Sequence, residues 1–211
     1  MARGRAGAVA EVGSGSQFDL ERVVALRPDV VVVSAFSTDD PVVRRVRSAG
    51  IPVLYLADWR EHDPLGRAEW IKLFGLLIGR YETAARLFET RAERYEELTE
   101  RVAGIPRTRR PTVLANAPWQ GSWPVPAGDS YMARLFSDAG GRYIWSDTEG
   151  TGSVFLDLET VLARGANADY WINLNAGWTS RSDARQLDPR LTSFQAYRDE
   201  QMFHHNARVR S

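Results

Sequence analysis

One short pattern occurs twice in this chain of 211 residues. Leu20-Glu21-Arg-Val-Val-Ala runs through Leu-Arg-Pro to Asp29 and the β-branched run Val-Val-Val-Val, and Leu158-Glu159-Thr-Val-Leu-Ala runs through a Gly/Asn turn to Asp169 and Tyr-Trp-Ile. Each copy reads as a short amphipathic helix that delivers the chain, past an aspartate, into a strand. A helix-to-strand unit that recurs this far apart predicts two α/β lobes, each with a parallel sheet.

The flanking segments extend the same reading. Asp19 is placed to cap the first helix, whose apolar positions Leu20, Val23, Val24 and Leu26 keep helical spacing. The runs 29–34 and 51–56 read as strands buried on both faces, separated by a helix over 41–49 that Gly50 ends. From Pro64 to Ala103 no proline interrupts, and Trp70, Phe74, Leu77, Tyr81, Ala84, Phe88, Ala92, Tyr95, Leu98 and Val102 recur at helical period. That length as one helix is ~50 Å. It is either two helices broken near Gly79 or one helix bridging two lobes. The division expected is a lobe over 1–66, a connecting helix over 67–103, a Pro/Arg linker over 104–111 and a second lobe over 112–211. Within the second lobe, strands are expected at 112–116, 142–145 and 169–174 and helices at 129–139, 157–164 and 189–197. Loops are expected at 118–128 and 146–153, and extended chain over 201–209.

Composition narrows the chemistry. With 27 basic and 27 acidic residues the formal net charge is zero, so no basic excess exists to hold a nucleic acid. The absence of cysteine removes disulfides, thiolate catalysis and Fe–S ligation. No apolar run reaches the ~20 residues of a membrane span, and residues 1–10 lack the apolar core of a secretory signal. The three histidines, His62 and the adjacent His204 and His205, are poorly arranged for a bound transition metal, so no metal site and no cofactor is expected.

Taken together, Leu20-Glu21 to Asp29, Ala49-Gly-Ile-Pro-Val53, the long helix, Asp129-Ser-Tyr-Met to Asp138-Ala-Gly-Gly141, and Leu158-Glu159 to Asp169 carry a resemblance over nearly the whole chain. The sequence resembles the class III periplasmic substrate-binding proteins of ABC importers, which carry vitamin B12, haem and ferric siderophores. The resemblance implies two small parallel-sheet α/β lobes on a single long backbone helix, with a ligand cleft between the lobes. It implies a monomer that binds reversibly and performs no chemistry. Its partners are a metal chelate or corrinoid and the permease dimer of an importer. One glutamate per lobe docks onto the permease in that family, and Glu21 and Glu159 stand at the matching positions. Each carboxylate also serves its own helix N-terminus. The family begins with a signal peptide, a strand and a helix before the first Leu-Glu and continues past the region of Asn206, so a chain truncated at both ends is expected. Its full-length form would be periplasmic or extracytoplasmic and membrane-associated.

Ligand contacts in an α/β lobe belong at strand C-termini and in the loops just beyond them. Ser14, Ser16, Trp59, Arg60, Trp119, Trp123, Trp145 and Trp178 occupy such positions, and five of the seven tryptophans fall in Gly/Pro-rich loops, which suits a flat or chelate-like ligand. Arg181 is a further candidate for a ligand carboxylate. Gly13-Ser-Gly-Ser16 lacks a P-loop ending and reads as a turn. Arg67 and Glu69 are expected as a local ion pair. Two other readings stand beside binding: an α/β hydrolase using Asp147 and Glu149 as an acid/base pair in a tryptophan-rich cleft, and a shortened remnant that binds nothing.

Overall fold

The structure, a computed structural model, describes residues 10–13, 18–34, 40–172, 177–178 and 180–203. The chain divides into two compact units, residues 1–57 and 58–211.

In the first unit, helix α1 (Leu20–Leu26) starts where Asp19 accepts a hydrogen bond from the Arg22 N–H, and it buries Val23. Strand β1 (Val31–Val33) comes next, then helix α2 (Pro41–Ser48), capped by Asp40 and burying Val43 and Val46. Strand β2 (Val53–Tyr55) pairs with β1 in parallel, Val31 opposite Val53. Both strands were expected to be buried on two faces. Every residue of both is only half-buried, and among the described residues β1 and β2 pair only with each other.

The second unit opens with helices α3 (Pro64–Glu69), α4 (Ile71–Leu77) and α5 (Tyr81–Ala103). The expected continuous helix over 67–103 is therefore divided, and the break near Gly79 is the alternative realised. Gly79 sits at φ +65° while its N–H bonds the Leu76 carbonyl and the Arg80 N–H bonds the Gly75 carbonyl, a Schellman ending that no straight helix contains. The chain then folds back. A Cβ on Gly75 would lie 2.4 Å from the Cβ of Ala84, so glycine is what lets α4 lie this close to α5. The Tyr95 hydroxyl donates to Asp138 at 2.8 Å and ties α5 to the helix that holds it. The interior beside Asp138 raises the Tyr95 phenol far above its ordinary value.

Strand β3 (Thr112–Ala115) begins the main sheet, and β4 (Trp123–Pro126), α6 (Tyr131–Asp138), β5 (Arg142–Tyr143), β6 (Ser153–Leu156), α7 (Leu158–Gly165), β7 (Tyr170–Ile172), α8 (Arg181–Leu187), α9 (Gln195–Arg198) and β8 (Met202–Phe203) complete the unit. The sheet order is β5-β3-β7-β8, all parallel, while β4 and β6 form a separate antiparallel ribbon. Two of these elements correct the sequence reading. Residues 118–128 were expected as loop but contain β4, because Trp123 and Val125 alternate inward while Pro124, which cannot donate, sits on a two-stranded ribbon. The expected helix over 189–197 is a 3-10 turn (Pro189–Ser193) and then α9. The core gathers Leu114, Trp123, Val125, Trp145, Val161, Trp171, Leu191, Phe194 and Met202.

Candidate functional site

Parallel strands end together, and the end of β3 is where the second unit becomes irregular. Asn116 turns the chain there at φ +64°. Its N–H bonds the Ile172 carbonyl at 3.0 Å, its side-chain amide donates to the Pro124 carbonyl at 2.8 Å, and its carbonyl accepts the Trp171 indole N–H at 2.6 Å. The Trp123 indole N–H donates to the Ala115 carbonyl at 3.0 Å. Two tryptophans and an asparagine thus satisfy the carbonyls left open where the strand stops, and they fasten the β4/β6 ribbon to that end of the sheet.

The ribbon and the turn that leads into it carry two exposed aromatics. Trp119 to Ser122 is a tight hairpin turn with reciprocal backbone hydrogen bonds of 2.7 and 3.1 Å, and Gln120 and Gly121 both have positive φ, the geometry of a type I′ turn. Trp119 at the base of this turn is 56% exposed. Pro124 and Phe155 are cross-strand partners and so share the ribbon face opposite Trp123 and Val125, and Phe155 is 64% exposed. Trp119, in the turn before β4, and Phe155, on β6, are thus two large aromatics exposed to solvent in the segments that follow the C-terminal end of β3, the end where α/β sheets carry their ligands. Phe155 is absent from the residues expected from sequence. The alternation of Ser153, Val154, Phe155 and Leu156 was its signal, since a period of two puts Phe155 on the face opposite Val154.

The remaining expected residues separate sharply. Trp123 (1% exposed), Trp145 (2%) and Trp178 (6%) are core residues, which corrects their assignment to a ligand surface. Trp123 packs on Trp171 and Phe194 at ring distances of 5.3 and 5.6 Å, Trp178 meets Trp171 edge-on at 5.8 Å, and Trp145 lies against Tyr143. All three rings thus belong to the aromatic interior of the second unit. Trp59 is half-buried with the Arg60 guanidinium 5.9 Å from its ring centre, and Arg60 is exposed. Ser14 and Ser16 lie outside the described residues. Arg181 is committed to the Tyr197 carbonyl and to Glu200 at 2.8 Å, so the sequence expectation of a ligand carboxylate there is replaced by an internal pair.

Glu21 and Glu159 are both exposed and both occupy the second position of their helix, directly after Asp19-Leu20 and Asp157-Leu158. Glu159 pairs with Arg190 at 2.5 Å. The N–H and hydroxyl of Thr160 hold the Asp157 carboxyl below the usual carboxylate range.

The acid/base reading finds no support in geometry. Asp147 is bound by Arg164 at 2.6 Å, and that guanidinium lowers its carboxyl further below the usual range. The loop around Glu149 is stapled to the start of α6 by bonds from Ala127, Gly128 and Asp129 to the carbonyls of Gly152, Thr148 and Gly150. Arg67 pairs with Asp58 at 2.9 Å and Glu69 with Lys72, so the expected Arg67–Glu69 pair is replaced by two others. Among the described residues no group of His, Asp and Glu converges to hold a metal ion, and no helix is long and apolar enough to cross a membrane.

Comparison with known proteins places this geometry. A sequence model of the family described as periplasmic binding protein matches residues 2–209. An uncharacterised lipoprotein of Methanocaldococcus jannaschii is 28% identical over 199 residues, covering 93% of this chain and 47% of the relative. A second uncharacterised lipoprotein of that organism is 27% identical, covering 91% and 50%. The chain spans about half the length of these curated relatives. A periplasmic heme-binding protein from Pseudomonas aeruginosa shares the fold with a TM-score of 0.71 at 22% identity, covering 90% of this chain and 68% of that one. A protein of an ABC-type Fe3+-hydroxamate transport system from Saccharomonospora viridis gives 0.65 at 18% identity, covering 90% and 67%.

Proposed function

This chain belongs to the periplasmic binding protein family, a family of transport binding proteins and not enzymes, and from that premise we propose that it is the solute-binding part of an ABC importer for a flat metal chelate. The observation that carries the reading is the exposure of Trp119, in the turn before β4, and of Phe155, on the ribbon fastened to the C-terminal end of β3. A stacking surface of this kind suits haem, a ferric siderophore with aromatic or chelate planes, or a corrinoid. Two fold relatives are named for heme and for Fe3+-hydroxamate transport, which supports the class without selecting a member. Trp59 and Arg60 are proposed as further aromatic and polar ligand contacts within the second unit, and Ser14 and Ser16 as ligand contacts of the first unit taken by itself.

Glu21 and Glu159 are proposed as the docking residues for the permease, one on each unit. Their equivalent place after an N-capping Asp-Leu supports this, because each carboxylate projects from a helix start where the dipole favours its charge. The names of the two M. jannaschii relatives support a membrane-tethered, extracytoplasmic protein.

The test is titration of this chain with ferric haem, cyanocobalamin and ferric desferrioxamine, read by tryptophan quenching and thermal shift. One of the three is expected to saturate, and Trp119→Ala with Phe155→Ala is expected to weaken it by roughly tenfold or more at one stacked ring each. Saturation that is indifferent to both substitutions would sink the ribbon as the site. Glu21→Ala with Glu159→Ala is expected to abolish uptake in cells while leaving that affinity unchanged.

A further inference from the structure

The opposite end of the same sheet has a different character. The four parallel strands begin at Thr112, Arg142, Tyr170 and Met202, and an open groove of about 540 Å³ runs across these starts, lined by Arg109, Arg110, Arg142, Asp169, Tyr170 and Asp199 among others. A second depression of about 320 Å³ shares Arg110 and Arg142 and adds Arg107. Four guanidinium groups meet here in a chain whose net charge is zero.

The two carboxylates of the groove offset its positive charge only in part: Asp169 feels the charge of Arg142, and the arginines outnumber the acids. Asp169 is already held by the Thr112 N–H and hydroxyl, each at 2.6 Å. Asp199 is one exposed acid. Arg110 is spent on main-chain carbonyls, donating to Ile105 at 3.0 Å and Ser137 at 3.4 Å, and so anchors the segment between Pro106 and Pro111. Arg107, Arg109 and Arg142 are exposed and form no ion pair among the described residues. A short 3-10 turn, Arg107–Arg109, holds the first and second of these.

We infer that this arginine-rich pole of the second unit is a docking surface for the anionic phosphodiester headgroups of a membrane. The larger depression is open to solvent and neither is lined by a buried charged side chain, which fits an array of anions on a surface better than one enclosed ion. Guanidinium forks match phosphodiester oxygens. Tyr170, partly exposed at the groove edge, has the ring-plus-hydroxyl character that sits at headgroup level. Two relatives are named lipoproteins, so a tethered protein of this kind would keep such a face within reach of lipid. The face lies at the strand starts and the aromatic ribbon at the strand ends, so lipid contact leaves the ribbon open. The inference stands apart from the identity of the solute.

The experiment is co-sedimentation of the 211-residue chain with vesicles of phosphatidylcholine containing about 30 mol% phosphatidylglycerol, against vesicles of phosphatidylcholine alone. The chain is expected to bind the anionic vesicles only and to release as salt rises towards about 0.5 M. Arg107→Ser/Arg109→Ser/Arg142→Ser is expected to lower the partition coefficient at least tenfold, at about a few-fold per arginine. Arg86→Ser/Arg91→Ser/Arg185→Ser, which removes the same charge elsewhere, is expected to leave it within about twofold. Equal binding to neutral vesicles overturns the inference, as does an equal loss in both triple variants. Displacement by inorganic phosphate at constant ionic strength also overturns it, because it would identify a free-anion site instead.

Discussion

In the first unit α1 enters on Asp19-Leu20-Glu21 and buries Val23; in the second unit α7 enters on Asp157-Leu158-Glu159 and buries Val161. The cap geometry is shared, with each aspartate accepting from the N–H three residues on. The sheets that the two helices lead into are unlike. Among the described residues the strand after α1 has one neighbour and is half-buried along its length, whereas β3 is paired on both sides and β7 brings Trp171 into a fully buried aromatic core. The buried apolar residues of the first unit, among those described, are Val23, Val43 and Val46. The comparison teaches that the repeated motif is a local device for starting a helix and aiming a chain at a strand. It works wherever it stands, and the interior depends on what the strand is then paired with.

The largest expected effect lies in the second unit. Trp171→Ala removes a ring that touches Trp123, Trp178 and Phe194 and strips the Asn116 carbonyl of its donor. A loss of about 3–5 kcal/mol is expected in urea unfolding. Val46→Ala in the first unit should cost about 1–2 kcal/mol, since it deletes two methyl groups. Equal losses would break the contrast between the two interiors.

The aspartate ahead of each strand sharpens it further. Asp169 braces β3 through Thr112, and these hydrogen bonds hold its carboxyl below the usual range. Asp29, at the same place in the first motif, is exposed. Asp169→Asn is therefore expected to cost about 1–2 kcal/mol and Asp29→Asn less than about 0.5 kcal/mol. Because the folded value of Asp169 is depressed, its stabilisation is present above the unfolded carboxylate value near pH ~4 and disappears as pH falls through the folded value. Urea midpoints measured from pH ~5 down to ~2 should fall less steeply in Asp169→Asn than in the parent protein.

Smaller and equal effects are expected where the units agree. Asp19→Ala and Asp157→Ala each remove an N-cap and should each cost about 1 kcal/mol by thermal melting. A marked inequality would mean that the two helix entries are not the same device. An equally small stability effect is expected in the turn before the ribbon: Trp119→Ala, at an exposed position, should stay within about 0.5 kcal/mol of the parent in the same melts.

The helix entries and the helix-to-strand order were legible from residue patterns, since Asp19, Asp157 and Gly50 act through bonds to residues three or four away, whereas the break at Gly79 was one of two readings and the continuous helix was the one expected. The ribbon was not. Prolines at 124 and 126 speak for loop in isolation, and β4 exists because β6 arrives to pair with it from the far side of α6 and β5. The tryptophans misled for the same reason. A Gly/Pro-rich neighbourhood says that Trp123, Trp145 and Trp178 stand outside regular helices, but it does not say which way the surrounding chain folds.

The sequence alone determined the helix entries and the helix-to-strand order in both units, because capping, turn residues and the Leu-Glu-to-Asp repeat act over a few residues and are written in order. Only the tertiary structure decided that Trp123 faces Trp171 while Trp119 faces water. The burial of a ring is set by partners distant along the chain, and the pairing of β4 with β6 and of β3 with β7 chose those partners.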